Sequence, residues 1–266
     1  MKKIYCYLVP LIVIAACKKD HSGSSTNPAS YALVGYATYE NGTLIDSVGL
    51  TYTSNTHLLN SYTATVHGGG GTNSTTYQLD YSGTDILRMN LVSQSVAYYI
   101  YHYNTNHQID SIKFYTTNTP DPVSSWAFKY NSAGQISDEF DLAGSARTTD
   151  HEVFSYDAAG DLTEELDSAF TPPLQVDTIL YSNYDNKVNP VKAMPGYPSV
   201  TSPLPAFGAQ FFSSPNNYGT VATTIEIAPG QRAVSTTNLT YQYNAAGLPT
   251  AIIDQLDTVR LTYKQF

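Results

Sequence analysis

The sequence predicts an all-β fold, an antiparallel meander of repeated β-hairpins with about 14 to 16 strands that forms a twisted or partly rolled sheet. A hairpin motif recurs along the chain, and apolar residues alternate with polar ones before each copy. The composition also favours pleated strands, with 23 Tyr and only 13% charged residues among 266. The charge of −9 makes nucleic acid an unexpected partner, because phosphate binding needs clustered Lys and Arg.

The first element is an export signal over residues 1–16. Two lysines open it, the run from Ile4 to Ile14 is apolar, and two alanines precede Cys17. This order of basic, apolar and small residues is typical of a secretory signal peptide, which is removed from the mature protein. The apolar run is too short to span a bilayer as a helix.

The segment from Val13 to Cys17 resembles the lipobox of bacterial lipoproteins. The resemblance implies that Cys17 becomes the first residue, carries a diacylglycerol thioether and an N-acyl chain, and anchors the protein to a membrane. The alternative is an ordinary signal peptide with an incidental Cys at the cleavage point. The other Cys, Cys6, lies in the segment to be removed, so we expect no disulfide framework.

Residues 17–30 have the composition of a flexible tether, rich in Gly, Ser, Thr and Asn. The run from Cys17 to Asp20 is similar to the start of lipoproteins of Bacteroidota. This similarity implies a location at the outer membrane or the cell surface, and a periplasm-facing orientation stays open.

Residues 31–266 are expected to form one domain of hairpin repeats. Three segments share the form aromatic-x-Tyr-[Asn/Asp]-x-Ala-Gly-x-apolar, at 128–136, 154–162 and 241–248, and degenerate copies begin at Tyr52, Tyr81, Tyr103 and Tyr184. The Asn or Asp of each turn is expected to accept a hydrogen bond from the backbone two residues further on. The Gly is expected to adopt the left-handed conformation that a three-residue hairpin requires.

The aromatic residues before each turn have the alternation of a half-buried strand, as in Trp126, Phe128 and Tyr130. We interpret the many Tyr residues first as strand ladders. The alternative is an exposed aromatic platform, for which Trp126, Phe128 and Tyr130 are the candidate glycan-binding residues, because sugars stack on open rings.

A second motif, apolar-Asp-[Ser/Thr]-apolar, occurs five times. One interpretation is a strand of the repeat with its Asp on the solvent-exposed face. The other is that it resembles the acceptor motif for O-glycosylation of exported Bacteroidota proteins. The candidate O-glycosylation sites are then Ser47, Ser111, Ser168, Thr178 and Thr258.

Residues 189–233 interrupt the pattern with six prolines and are predicted to form an irregular insertion, with a short helix over 204–212. Such a long segment is expected to pack across the sheet and cover an apolar face or an edge. The alternative is a binding lid, since long ordered loops often carry function.

The hairpins resemble the YD repeats of Rhs-type proteins. Together with the lipobox, the segments Tyr184–Pro190, Ser214–Asn217 and Tyr241–Pro249 resemble a family of Bacteroidota lipoproteins classed as a domain of unknown function. The N-terminal copies lack the Gly, and the chain is too short for the closed shell of long YD arrays. The resemblance implies a fold and a location, and no activity.

We find no motif for catalysis, a cofactor or a metal ion. His67 and the glycines after it resemble an esterase oxyanion loop, but no nucleophile elbow accompanies them. The acidic runs Asp138–Asp141 and Glu164–Glu165 are expected to be solvated strand residues, and their alternative is a Ca²⁺ site or a glycosidase carboxylate pair.

Three functional classes follow from the sequence. The first is a non-catalytic structural or interaction module of the cell envelope, because repeats present extended surfaces. The second is a carbohydrate-binding lipoprotein of the cell surface, and the third a carboxylate-dependent glycoside hydrolase. The expected partners are a membrane, through lipid on Cys17, and either a glycan or another outer-membrane protein.

Overall fold

The computed structural model describes residues 31–68, 71–92, 97–116, 118–144, 147–169, 175–190, 214–228 and 230–266. The signal peptide, the tether and the predicted helix at 204–212 lie outside the described residues. Within the described part, no helix is long and apolar enough to cross a membrane.

The described residues form seventeen β-strands. The strands are β1 (Tyr31–Glu40), β2 (Thr43–Tyr52), β3 (Leu59–Gly68), β4 (Gly71–Ser82), β5 (Asp85–Leu91), β6 (Ala97–Tyr103), β7 (Ile109–Thr116), β8 (Ser124–Tyr130), β9 (Ile136–Ala143), β10 (Arg147–Tyr156), β11 (Leu162–Ala169), β12 (Gln175–Ser182), β13 (Thr220–Ala228), β14 (Gln231–Asn238), β15 (Thr240–Tyr243), β16 (Pro249–Ile253) and β17 (Asp257–Gln265).

The strands form one antiparallel meander, as predicted. Each strand from β1 to β13 pairs with the next along the chain. The last three strands also pair in turn, and β17 pairs back onto β1. The two ends of this order, β14 and β15, are separated only by Leu239, whose amide donates to the Gly219 carbonyl at 2.8 Å. The sheet is therefore nearly closed and barrel-like.

The strand count exceeds the predicted range by one because Leu239 divides residues 231–243 into two strands.

Every second connection of a meander lies at the same end of the sheet. The turns 53–58, 104–108, 131–135, 157–161 and 244–248 share one end, and we name this set the turn rim. Tyr31, at the start of β1, pairs with Gln265 at the end of β17, so the first described residue also lies at the turn rim.

The predicted turn chemistry is confirmed. Oδ1 of Asn131 accepts hydrogen bonds from the backbone amides of Ala133 at 2.9 Å and Gln135 at 3.0 Å. Asp157 and Asn244 accept the same pair of bonds in their own turns. Gly134 has a φ of 80°, in the left-handed region, where a residue with a Cβ would be strained.

The Tyr residue that opens each turn ties its hairpin to the hairpin before it. The hydroxyl donates to the backbone carbonyl of a residue near the start of an earlier strand, or just before one. These pairs are Tyr52 to Leu33, Tyr81 to Leu59, Tyr103 to Ile86, Tyr130 to Ile109, Tyr156 to Ile136 and Tyr184 to Leu162. The last turn differs, because Tyr243, which precedes it, donates to Asp185, and Tyr241, two residues earlier, donates to the Tyr218 carbonyl. The Tyr side chains of the repeat therefore link neighbouring hairpins.

One face of the sheet is buried in a single hydrophobic cluster. Its fully buried side chains include Leu33, Leu59, Met89, Ile112 and Leu162. The opposite face carries hydroxyl pairs across strands, such as Thr63 with Thr76 at 2.9 Å. Period-two alternation thus separates an apolar face from a polar one.

The structure corrects the C-terminal limit of the predicted insertion. Strand β13 lies entirely within 189–233, and β14 begins there, so residues from Thr220 onward belong to the sheet. The sequence pattern obscured this because β13 and β14 are rich in Thr and Ala and lack the aromatic residues of the other hairpins.

Candidate functional site: carboxylates on the buried face

Acidic side chains occupy the buried face of β9 to β12. Glu139 is only 2% exposed and Glu165 only 8% exposed, so the prediction that these two runs are wholly solvated is wrong. The cause is a β-bulge after each turn. In β9 the bulge lies where Tyr130 pairs with Ile136 and Lys129 with Asp138, so Ser137 is the additional residue and Glu139 turns inward.

The strand register places these carboxylates directly opposite one another. Glu139 lies opposite Glu152, and Asp141 lies opposite Asp150. Across the next ladder, Asp167 lies opposite Glu152. The last member is Asp177, which lies opposite Asp167. We name this set, with Glu165, the acidic row: Glu139, Asp141, Asp150, Glu152, Glu165, Asp167 and Asp177.

Several members of the acidic row hold their protons more tightly than free carboxyls. Burial, and then the neighbouring carboxylates, raise the pKa of Glu152 to about 9. Burial, and then the hydrogen bond and charge of Asp150, raise the pKa of Asp167 to about 7. Burial, and then the charge of Asp150, raise the pKa of Asp141 to about 6. The row therefore retains protons near neutral pH, because like charges on a buried face cannot all ionise.

Hydrogen bonding within the row is incomplete. Tyr181 donates its hydroxyl to Oε2 of Glu165 at 2.8 Å. Oδ1 of Asp150 and Oδ1 of Asp167 are buried and have no hydrogen-bond partner among the described residues. In the described ranges, no group of three or more His, Cys, Asp or Glu residues has an arrangement suited to a metal ion.

Four of the five copies of the apolar-Asp-[Ser/Thr]-apolar motif have their Asp on the buried face, so the prediction that this Asp faces solvent is wrong for Asp46, Asp167, Asp177 and Asp257. Asp110 differs, because it is the additional residue at the bulge where Tyr103 pairs with Ile109 and His102 with Ser111. Asp46 lies two residues before Val48, which is buried, and Asp257 lies four residues before the buried Leu261. Oδ1 of each of these two carboxylates is buried. An additional residue, Ile45, at the bulge between β1 and β2 sets the inward direction of Asp46.

The five candidate O-glycosylation hydroxyls are half-buried within strands. By alternation they lie on the face opposite the core, in Ser47, Ser111, Ser168, Thr178 and Thr258. Two of them have local partners. Ser47 Oγ lies 3.3 Å from His67 Nε2, and Ser111 Oγ donates to Asp110 at 3.0 Å. Their modification stays a prediction.

The three candidate glycan-binding residues lie on the buried face. Phe128 is only 6% exposed and belongs to the core, and Trp126 and Tyr130 pack against it. The Tyr130 hydroxyl is engaged with the Ile109 carbonyl at 2.7 Å. These residues do not form the open row of rings on which the sugar-binding prediction depended.

The two sequence segments 184–190 and 214–217 pack together at the turn rim. Val188 pairs with Asn216, and the Asn189 amide donates to the Pro215 carbonyl at 3.0 Å. Asp161 accepts two hydrogen bonds from Asn216, at 3.1 Å from its backbone amide and 2.9 Å from its side chain. This paired segment fastens the chain between β12 and β13 to the β10–β11 turn.

A cleft of about 460 Å³ opens near the turn rim. Its lining includes the rings of Tyr52, His57 and Phe266, the hydroxyls of Thr51, Thr53 and Ser54, and Lys264. No member of the acidic row lines it. Sequence reasoning missed the cleft. The sequence feature that could have indicated the cleft is His57, which occupies the turn position that is Gly in the complete repeats.

No known protein family matches the sequence, and no curated protein is similar to it. The chain is similar to several solved structures, to different degrees. A porin-like protein from Bacteroides uniformis has a TM-score of 0.58 at 11% identity, over 87% of this chain and 98% of that one. A porin-like protein from Bacteroides vulgatus (TM-score 0.34, 11% identity, 87% of this chain and 98% of that one) is more distant. The Tc holotoxin pore of Photorhabdus luminescens (TM-score 0.37, 13% identity, 81% of this chain and 12% of that one) is distant as well. The likeness to the first of these shows that the chain has the fold of a known protein.

Proposed function

We propose that this protein is an exported, lipid-anchored, non-catalytic structural or interaction module of the cell envelope. The anchor is the acylated Cys17, and the location is the outer membrane or the cell surface. The sheet of residues 31–266 is the part that meets other molecules. A partner of the kind expected is another outer-membrane protein.

The observation that carries this proposal is the position of Tyr31. The first described strand starts at the turn rim, beside the end of β17. A chain anchored at Cys17 is therefore attached to one end of the sheet. The opposite end, with hairpin tips such as Asn41–Gly42, is then the end farther from the point of attachment. Several acyl chains at about 0.8 kcal/mol per buried methylene hold such a domain without a basic patch.

The surface chemistry supports a domain beside a membrane. Cross-strand hydroxyl pairs such as Thr65 with Ser74, at 3.0 Å, lie on the face opposite the core. The name of the structurally similar porin-like protein from Bacteroides uniformis supports an envelope location.

Two observations support a non-catalytic role. The carboxylates that could have served as an acid–base pair belong to the acidic row and face the core. The cleft at the turn rim is lined by rings, hydroxyls and Lys264, and none of its lining residues is a carboxylate.

The test is membrane fractionation in a Bacteroidota host of wild type and Cys17→Ser. We expect wild type in the outer-membrane fraction and the variant in the soluble envelope fraction or unprocessed. Protease added to intact cells then distinguishes surface display, with cleavage of the domain, from a periplasm-facing orientation. Wild-type protein that fractionates with soluble periplasmic markers, as Cys17→Ser does, would overturn the proposal.

A further inference from the structure

The turn between β2 and β3 departs from the repeat at His57. In a complete repeat the residue that closes the turn is Gly, as where the Gly134 amide donates to the Asn131 carbonyl at 3.0 Å. In the first hairpin the His57 amide makes this bond, to the Thr53 carbonyl at 3.1 Å. His57 has a φ of 56°, which strains any residue with a Cβ. His107 has the same backbone conformation in the turn 104–108, with a φ of 57°, so the feature particular to His57 is what its side chain contacts.

The His57 side chain forms part of a wall of rings. It stacks on Phe266 with centroids 4.4 Å apart and planes 14° from parallel. Phe266 in turn meets Tyr52 edge to face at 5.7 Å. His57 and Phe266 are both exposed, so these two rings face the cleft, whereas Tyr52 lines the cleft and also packs against the core. A Gly at position 57 would leave this wall incomplete.

The rest of the cleft combines two apolar side chains, Val34 and Leu50, with polar and positively charged groups. Thr51, Thr53 and Ser54 contribute hydroxyls, and Lys264 places its ammonium 5.7 Å from the Phe266 ring centroid. The chain as a whole has 22 acidic and 13 basic residues, yet none of the residues lining this cleft is acidic. The cleft therefore attracts anions, although the protein as a whole is negatively charged.

We infer that this cleft binds an acidic sugar, a pyranose ring that carries a carboxylate. The apolar face of a pyranose stacks on aromatic rings, its hydroxyls pair with protein hydroxyls, and its carboxylate pairs with an ammonium group. The volume, about 460 Å³, lies in the range of small-molecule sites, about 300 to 1,000 Å³. An inorganic anion would leave the rings unused, and a neutral aromatic ligand would leave Lys264 unused. This inference does not depend on lipid anchoring.

The test uses the full chain with Cys17→Ser, so that it is not acylated, and calorimetric titration with galacturonate, trigalacturonate and galactose. We expect galacturonate to bind at least 10-fold more tightly than galactose. Lys264→Gln should lower the affinity for galacturonate at least 10-fold and leave the affinity for galactose unchanged. If trigalacturonate binds as tightly as galacturonate, or more tightly, the source of the ligand is a polysaccharide. If trigalacturonate binds much more weakly than galacturonate, the ligand is the free sugar.

The decisive variant is His57→Gly. It removes the ring and relieves the strained backbone, so the thermal midpoint should stay or rise while the affinity for galacturonate falls at least 10-fold. His107→Gly is the matched control, because His107 has a φ of 57° in the equivalent turn position but does not line the cleft. It should bind galacturonate as the parent does. No binding of either acidic probe, equal binding of galactose, or full affinity in His57→Gly would overturn the inference.

Discussion

Glu139 on β9 and Glu152 on β10 lie directly opposite each other in the antiparallel register, on the buried face of the sheet. Like charges at such positions destabilise a sheet, and burial adds the cost of removing them from water. The fold accommodates the pair by keeping a proton on it, as the raised pKa of Glu152, about 9, shows.

The first prediction is that the protein becomes less stable as pH rises from about 5 to 9. The pKa of Glu152 rises from 4.5 to about 9 on folding. Between these two values the folded protein holds a proton that the unfolded chain has released, so the free energy of unfolding falls with rising pH. Below both values this contribution is constant. Thermal unfolding at several pH values measures the effect.

Glu152→Gln should flatten this dependence and stabilise the protein at pH 9 by about 1 kcal/mol, because it removes a cross-strand repulsion. The matched control is Glu164→Gln, on the other face of the neighbouring strand β11, which should keep the wild-type slope. A melting temperature that is constant or rises between pH 5 and 9 would contradict this reading of the acidic row.

The second prediction concerns the Tyr links between hairpins. Tyr130→Phe removes the hydroxyl that donates to the Ile109 carbonyl at 2.7 Å and leaves that carbonyl without its donor. The expected loss is about 1 to 2 kcal/mol in the free energy of unfolding, measured by urea titration. Tyr115→Phe, whose ring stacks on Tyr98 on the opposite face, serves as the control and should change stability by less than about 0.5 kcal/mol. Equal effects from both substitutions would argue against the links.

The third prediction concerns the turn glycines. Gly134→Ala forces a Cβ into a φ of 80°, and we expect it to destabilise the protein by about 1 to 2 kcal/mol. The added methyl group meets only Gln108 Nε2, at 3.4 Å, so backbone strain is the main cause. Ser132→Ala in the same exposed turn is the control. The urea midpoint checks both, and an unchanged midpoint in Gly134→Ala would show that the turn does not need the left-handed conformation.

The fourth prediction concerns the fastening of the segment before β13. Asp161→Ala removes both acceptors of Asn216 in a buried setting, for which we expect a loss of about 2 to 3 kcal/mol. Hydrogen exchange of the Asn216 amide should accelerate with it. Asn186→Ala, at an exposed position in the same segment, should change neither the free energy of unfolding nor the exchange rate of the Asn216 amide. Slow exchange at Asn216 in Asp161→Ala would contradict the assigned bond.

The sequence was sufficient to predict the local features of the fold. The turn at Asn131 and Gly134 is specified within five residues, so composition and spacing predict its hydrogen bonds and its positive φ. The meander follows from repeating this unit, since short turns join antiparallel neighbours.

The inward direction of the acidic side chains could not be predicted, because one additional residue reverses every side chain after it. The bulge at Ser137 turns Glu139 inward and Asp138 outward, and nothing in the run Asp-Glu-Phe-Asp reveals it. The cleft at the turn rim was equally hidden, because His57 and Phe266 are 209 positions apart in the sequence and meet only because β17 pairs back onto β1.

The most direct test of the central claim is the intact mass of the N-terminal peptide of the protein purified from host membranes. We predict a peptide that begins at Cys17 and carries a diacylglycerol thioether and an N-acyl chain. A peptide that begins at Cys17 or elsewhere with no lipid mass would contradict anchoring and with it the proposed place of this protein in the envelope.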